Sequence, residues 1–155
     1  MAFFDKPTPG VSTPLGRQQY LRSSVGNKFE SYTISAAAQP TETIKNAVGA
    51  DEELKYLQSG EAAAKITSGP EAGKIGVYQV GATDGRADTA NLVGINNSYL
   101  PAALNDGDEQ VGVLYVGTAV QGWCTIRDAT GKRIPMTDAV ADALRSKKGL
   151  DITFK

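Results

Sequence analysis

The sequence predicts a mainly β fold: a small sandwich or barrel with one short C-terminal helix and an extended N-terminal arm. Short apolar stretches rich in β-branched residues alternate with turns about every 8–12 residues, a spacing typical of small β sandwiches and barrels. Glycine, which suits such turns, is concentrated between Gly69 and Gly131, where 11 of the 17 glycines lie. Only one stretch, close to the C-terminus, has apolar residues at helical spacing. We place the arm at residues 1–28 and the β domain at residues 29–155.

The arm has neither a helical nor a strand period. Three prolines between residues 7 and 14 interrupt both kinds of structure, and the large apolar residues are scattered. One interpretation is a solvated tail; the other is a segment that becomes ordered on a partner. Phe3, Phe4 and Tyr20 favour the second, because purely solvating tails are poor in aromatic residues.

Six stretches between residues 29 and 116 have the composition of strands. They cover residues 29–36, 43–48, 61–67, 74–80, 92–95 and 110–116. The last of them carries apolar residues on both faces, which is typical of a central strand. Residues 50–57 are ambiguous, because Asp51, Glu52 and Glu53 could instead open a helical turn.

The C-terminal part of the chain begins with a predicted hairpin. Residues 120–126, which include Trp123, are rich in β-branched and aromatic residues and predict a strand. The sequence Asp128-Ala129-Thr130-Gly131 suits a type I turn in which Gly131 takes a positive φ. Residues 132–135 then start the return path.

One helix follows the hairpin. Thr137 fits its N-cap position, and Asp138 lies in the first turn, where a carboxylate favours the helix dipole. Gly149 is predicted to end the helix at its C′ position, with Leu150 folding back on the last turn. The apolar stripe expected to face the core consists of Met136, Val140, Ala143 and Leu144.

Residues 151–155 alternate between apolar and polar side chains. Ile152 and Phe154 point one way and Thr153 the other, as in a strand with one buried face. We expect this strand to close the core of the domain.

Composition argues against several functional classes. The chain has no histidine, which removes the commonest general base and the commonest metal ligand. Its single cysteine, Cys124, excludes an internal disulfide and a cysteine-rich zinc site. A net charge of −1 argues against a general nucleic-acid binder, whose phosphate contacts need clustered cations. We therefore expect no enzymatic activity, no cofactor, no metal and no nucleic-acid partner.

The hydropathy of the chain argues against a membrane partner. No apolar run approaches the roughly 18 residues needed to span a bilayer. The first residues lack the charged-then-apolar order of a signal peptide. We expect synthesis in a reducing compartment.

Three short motifs contain residues that could support chemistry. Residues 84–88 could form a calcium loop, but they lack the ligand spacing of an EF-hand and are better explained as a surface turn. Residues 105–109 are acidic and loop-like, which leaves a weak metal site as the alternative to a plain loop. Cys124 is expected to be a packed core thiol, because no histidine is present to activate it as a nucleophile.

Three segments, taken in order, resemble a known family. They are Leu57-Gln58-Ser59-Gly60-Glu61-Ala62-Ala63-Ala64-Lys65-Ile66-Thr67-Ser68-Gly69, the turn Thr83-Asp84-Gly85, and Asn91-Leu92-Val93-Gly94-Ile95. With the late strand, the single helix and the final Gly-Leu-Asp-Ile-Thr-Phe strand, they resemble the head decoration proteins of tailed phages, the lambda protein D family. In that family a strand of small residues precedes an Asp-Gly loop, and a helix and a Gly-led strand end the chain. The resemblance covers roughly residues 53–155.

The resemblance implies a β-clip-like domain, a homotrimer, and binding to the major capsid protein at three-fold positions on the outside of the shell. It also implies a location on the outer surface of the virion after synthesis in the host cytoplasm. In the family the N-terminal segment orders against the capsid, and residues 1–28 occupy the matching place here. The candidate capsid-binding residues are the large apolar and basic side chains of this arm: Phe3, Phe4, Val11, Leu15, Arg17, Tyr20, Leu21 and Arg22.

Two alternatives remain. A small β adhesion module on a virion or cell surface would bind glycans or a receptor and would need an exposed aromatic platform. Trp123 is the only tryptophan, and its predicted strand context indicates burial. An enzyme with a β-clip-type fold would need catalytic residues, and the sequence offers no clear candidates.

Overall fold

The computed structural model describes residues 17–45 and 48–155. Within them the chain is mainly β, with ten strands and one α-helix, which confirms the predicted fold class. The elements, in chain order, are β1 (Lys28–Ile34), β2 (Glu42–Lys45), β3 (Asp51–Leu54), β4 (Ala62–Lys65), β5 (Ile75–Val77), β6 (Leu92–Asn96), β7 (Glu109–Ala119), β8 (Thr125–Arg127), β9 (Arg133–Pro135), α1 (Asp138–Ser146) and β10 (Asp151–Phe154).

Five of the strands close into a ring. Their order is β1-β5-β4-β6-β7, and β7 returns to β1 along an antiparallel ladder from Ile34 opposite Glu109 to Lys28 opposite Val116. The weakest junction joins β1 to β5, in parallel, at Ile34 and Ile75. The strand pairing therefore returns to its start, which makes the domain a small barrel. Because β1 meets β5 only at Ile34, the rest of that edge of β1 has no partner among the described strands. Strand β7 pairs with β1, β6 and β10, so the predicted central strand is confirmed.

Two apolar clusters pack on opposite faces of the barrel wall. The strand period of two sends Leu114 of β7 to one cluster and Val113 to the other. Strand β4 does the same with Ala62 and Ala63. The first cluster also holds the buried helix residues Val140, Ala141 and Leu144, so it joins α1 to the barrel. A barrel wall buried on both faces explains why β4 is built from small apolar residues.

A buried ionic network fixes the two small hairpins to the barrel. Arg127 Nε lies 2.6 Å from Glu61 Oε1, and both side chains are fully buried. Glu42 at the base of the β2–β3 hairpin accepts from Arg127 Nη1 and from Arg133 Nε, each at 3.0 Å. Arg127 Nη2 also donates to the Tyr56 carbonyl at 2.6 Å. Buried charges are tolerated here because each is paired and hydrogen-bonded.

The predicted strand over residues 120–126 is confirmed only at its end, where β8 begins at Thr125, and is wrong over residues 120–124. Strand β7 runs on to Ala119, and a short 3-10 turn at Gln121–Trp123 then redirects the chain into β8. The turn is closed by hydrogen bonds from Trp123 N to Val120 O and from Cys124 N to Gln121 O, both at 3.0 Å. It brings Thr125 N to Gly60 O, also at 3.0 Å, which seats β8 beside the chain entering β4. Trp123 is consequently half-buried rather than enclosed in a sheet.

The turn after β8 follows its sequence prediction. Gly131 has φ 88°, and its N–H donates to Asp128 O at 3.0 Å, which closes the β8–β9 hairpin. Within the ambiguous residues 50–57, Asp51–Leu54 form strand β3 rather than a helical turn and pair antiparallel with β2.

The start of the helix agrees with its prediction and its end does not. The Thr137 side chain accepts from Val140 N, and Asp138 occupies the first turn. The helix ends with Lys147 as its C-cap. Gly149, with φ 93°, belongs to the next turn, in which Leu150 N donates to Lys147 O at 3.1 Å. This turn reverses the chain into β10.

Candidate interaction surface at the end of β7

The last residues of β7 are flanked by both ends of the described chain. On one edge Leu21 bridges to Ala119 in antiparallel orientation, while Arg22 N donates to Thr118 O and Val120 N donates to Tyr20 O, both at 2.9 Å. On the other edge β10 runs parallel to β7, and Ala119 O accepts from Lys155 N at 3.0 Å. The backbone groups of β7 alternate in direction, which allows it to hold one chain end on each side.

Tyr20 fixes the N-terminal segment in place. Its ring is 1% exposed and lies in the first apolar cluster with Ala119 and Cys124. Its hydroxyl donates to Asn97 Oδ1 at 2.8 Å. Gly60 lies against the ring: it has φ 92°, and a Cβ there would come within 2.9 Å of Tyr20 Cβ. Burial raises the pKa of the Tyr20 phenol well above its usual value.

Two further contacts hold the residues before Tyr20. Arg17 Nη2 donates to Asn97 Oδ1, so this one amide oxygen binds both Arg17 and Tyr20. Gln18 N donates to Gln58 Oε1 at 2.9 Å. Residues 17–22 are therefore packed on the barrel, with Tyr20 reaching its core.

The structure describes four of the eight candidate capsid-binding residues. Arg17 and Arg22 are exposed, Leu21 is half-buried against the first cluster, and Tyr20 is in the core. The other candidates, Phe3, Phe4, Val11 and Leu15, lie outside the described residues.

Tyr20 and the domain boundary differ from our expectation. We expected the Tyr20 ring to face a partner and the β domain to begin at residue 29. The ring is instead buried in its own domain, and contact with the barrel begins by Arg17. The physical reason is that a buried aromatic ring and a paired strand edge outweigh the entropy lost by ordering a few residues.

Sequence analysis missed two exposed apolar side chains beside this segment. Val25 is 83% exposed and Phe29 is 42% exposed. They are flanked in sequence by the exposed cations Arg22 and Lys28. Phe29 was predicted only as the first residue of a strand, and no local pattern distinguishes an outward aromatic residue there from an inward one. The strip from Arg22 to Phe29 is therefore both apolar and basic.

The three segments that carry the family resemblance lie together in the fold. The first supplies β4 and the third supplies β6, and these strands pair with Ala63 opposite Gly94. The Asp84-Gly85 turn packs on the end of the first segment, where Thr67 N donates to Asp84 O at 2.9 Å. It also contacts the third segment, because Asn91 Nδ2 donates to Gly85 O at 2.9 Å.

The motifs weighed as chemical sites have structural partners. The Asp84 carboxylate accepts from Arg86 Nε at 2.9 and 3.0 Å, which agrees with a surface turn. Asp108 pairs with Lys74 at 2.6 Å and accepts from Ala36 N at 2.8 Å. Cys124 is fully buried, and burial raises the pKa of its thiol to about 12. Over residues 17–45 and 48–155, no group of three or more acidic or cysteine side chains is placed to hold a metal ion.

Comparison with known protein families, curated proteins and solved structures finds no match to this chain. In the described part of the chain, no helix has the length and apolar character needed to cross a bilayer.

Proposed function

We propose that this protein is a non-enzymatic decoration protein of a tailed-phage head. It binds the major capsid protein on the outside of the expanded shell, as a trimer at three-fold positions, and stabilises the shell. The alternative, an adhesion module that binds glycans or a receptor, has no exposed tryptophan platform to support it, since Trp123 packs partly against the core.

The observation that carries the proposal is the arrangement of the three resembling segments. They are separated in sequence, yet they form two paired strands and the turn that bridges them. Gly94 has φ 142°, and a Cβ there would lie 2.1 Å from Leu114 O, so its place in the motif has a structural cause. Accidental similarity of three short segments would not require them to meet.

The mechanism is linkage. A protein that binds the assembled shell and not its dissociated subunits stabilises the shell by RT ln(1 + [L]/Kd). Three copies held together multiply weak individual contacts through avidity. The strip from Arg22 to Phe29 and the residues before Arg17 are the parts of the chain that we assign to the capsid contact.

Co-sedimentation with purified expanded shells tests the proposal. The full chain should co-sediment and should raise the temperature at which the shells disrupt. A chain lacking residues 1–16 should bind shells more weakly, and its unfolding midpoint is measured alongside as the control for folding. Deletion through residue 28 is unsuitable, because it would also remove the buried Tyr20 ring.

A matched pair of point variants separates capsid contact from general exposure of apolar residues. Phe29→Ser should weaken shell binding, whereas Val48→Ser should not, because Val48 lies between β2 and β3 and is 86% exposed. Equal shell binding by both variants and by the truncated chain would refute the assigned contact. Failure of the full chain to bind shells, with binding on a glycan array, would replace the proposed function by adhesion.

A further inference from the structure

The chain contains two Asp-Gly pairs, Asp84-Gly85 and Asp106-Gly107, that are equivalent in sequence but not in structure. In such a pair the glycine nitrogen can attack the aspartate side-chain carboxyl carbon and expel water to form a cyclic succinimide. Hydrolysis consumes one water and opens the ring to aspartate or to isoaspartate, in which the main chain runs through the side chain. Glycine favours the attack because it has no side chain to obstruct it and allows many backbone angles.

The Asp84-Gly85 pair is held against this rearrangement. The Asp84 carboxylate is bound by Arg86 Nε. The Asp84 carbonyl accepts from Thr67 N at 2.9 Å and the Gly85 carbonyl from Asn91 Nδ2 at 2.9 Å. A Cβ on Gly85 would lie 2.3 Å from Thr67 Oγ1, so the turn is also tightly packed. Attack would require the peptide plane to rotate, and rotation would break these hydrogen bonds.

The Asp106-Gly107 pair has none of these restraints. Asp106 is exposed, and its carboxylate has no hydrogen-bond or ion-pair partner among the residues the structure describes. Its N–H donates to Ala103 O at 3.1 Å, a bond that does not restrain the peptide group which must rotate. Nothing lies within 4 Å of the position a Cβ on Gly107 would take. The turn can therefore sample the geometry needed for attack.

We propose that Asp106-Gly107 is a site of spontaneous isoaspartate formation in the folded protein, while Asp84-Gly85 is protected. The product would lengthen the main chain by one methylene two residues before Asp108. Asp108 joins the start of β7 to Ala36 N and to Lys74. Modification would thus act on the junction where β7 enters the barrel.

The experiment ages the full-length folded protein at neutral pH in water enriched in oxygen-18. Each succinimide that hydrolyses takes up one heavy oxygen, and a protein-isoaspartate methyltransferase with labelled S-adenosylmethionine counts the isoaspartate formed. Trypsin separates the two pairs, because Asp84 lies in the peptide 75–86 and Asp106 in the peptide 87–127. Fragmentation by electron transfer then assigns the modified residue.

We expect isoaspartate at residue 106 to exceed that at residue 84 severalfold, and the difference to vanish when the chain is aged in denaturant. Asp106→Glu should abolish the signal assigned to residue 106, because glutamate forms the corresponding larger ring far more slowly. The matched variant Asp84→Glu should leave that signal unchanged. Equal modification of both pairs in the folded protein, or modification at Asp106 only after unfolding, would overturn the proposal. These outcomes are independent of shell binding.

Discussion

The two ends of the described chain lie on opposite edges of the same short stretch of β7, but they are held by different means. The N-terminal segment is held by one bridge at Leu21, by the buried ring of Tyr20 and by side-chain hydrogen bonds to Asn97 and Gln58. The C-terminal strand makes four consecutive parallel pairs, from Asp151 opposite Val116 to Phe154 opposite Ala119. The first attachment depends mainly on side chains, whereas the second is spread along a backbone ladder.

This difference separates the roles of the two ends. The N-terminal segment, which lies next to the parts of the chain that we assign to the capsid contact, is held by one bridge, one buried ring and a few hydrogen bonds. The C-terminal strand is tied to the barrel by its ladder and, through the turn at residues 147–150, by the helix. A partner that pulls on the N-terminus would therefore act on a local contact, while the C-terminal strand would separate only as the domain unfolds.

The largest effect should come from removing the Tyr20 ring. Tyr20→Ala is expected to lower the free energy of unfolding by about 3–5 kcal/mol, the range for deleting a buried aromatic ring. Tyr20→Phe keeps the ring and loses the bond to Asn97, so it should cost only about 0.5–1.5 kcal/mol. Urea unfolding of both variants measures this. A Tyr20→Ala protein as stable as the parent would mean that the segment is not docked in solution.

The next effect should come from the buried residue of the C-terminal strand. Ile152 is buried in the first cluster, so Ile152→Ala is expected to cost about 2–4 kcal/mol. Thr153, its exposed neighbour, is the matched control and should change stability little on replacement by alanine. Thermal unfolding distinguishes them, and equal shifts for the two variants would refute the docking of one face of β10.

A smaller effect is expected at Phe154. Its place in the alternation predicts the full cost of a buried ring, but the ring is half-buried, with the Arg145 guanidinium 5.1 Å from its centroid. Phe154→Ala should therefore cost about 1–2 kcal/mol, which combines partial burial with a surface cation–π contact. Arg145→Ala, measured by the same unfolding assay, should cost less than about 1 kcal/mol, because it removes only a surface cation–π contact and an exposed ion pair with Asp142. If Arg145→Ala lowered the free energy of unfolding more than Phe154→Ala does, burial of the ring would not be the larger contribution.

Features that depend on local chemistry could be predicted from the sequence. The turn closed by Gly131, the Thr137 cap and the central strand β7 each depend on a few adjacent residues. The 3-10 turn at Gln121–Trp123 could not, because its β-branched and aromatic neighbours are equally typical of a strand. Tertiary pairing of Thr125 with Gly60 decides the outcome there.

Features that depend on partners far away in the chain could not be predicted from the sequence. Arg127 and Glu61 are 66 positions apart, and charged residues are normally expected at the surface. The same limit applies to the candidate site, where Tyr20 meets Asn97 across 77 positions. The prolines and scattered aromatic residues correctly suggest an irregular segment around Tyr20, but they carry no information on which ring is buried.

Alkaline pH should distinguish the two attachments. The cluster around Tyr20 contains three weak acids, the Tyr20 and Tyr78 phenols and the Cys124 thiol, and burial raises the pKa of all three. Below about pH 8 these groups are protonated in folded and unfolded chains, so they do not alter stability. As the pH rises further, the unfolded chain releases these protons while the folded chain retains them, and stability falls. The thiol alone should cost roughly 1 kcal/mol by pH 10, one unit above its ordinary pKa of 9.0.

Unfolding midpoints measured between pH 8 and pH 10 test this expectation. Comparison of variants at the two attachments shows which attachment causes the loss of stability. Tyr20→Phe and Cys124→Ala should each flatten the decline, because each removes one of the three acids. Ile152→Val should lower the midpoint at every pH without changing the slope, since the C-terminal strand buries hydrocarbon at that position.

The folded protein should also protect Cys124 from a thiol reagent at pH 8, and Tyr20→Ala should remove much of that protection, because the ring covers the cluster in which the thiol lies. The opposite result would be a change of slope in Ile152→Val and an unchanged slope in Tyr20→Phe and Cys124→Ala. The two attachments would then not differ in the way their contacts indicate, and the N-terminal segment would have to be regarded as an integral strand of the barrel.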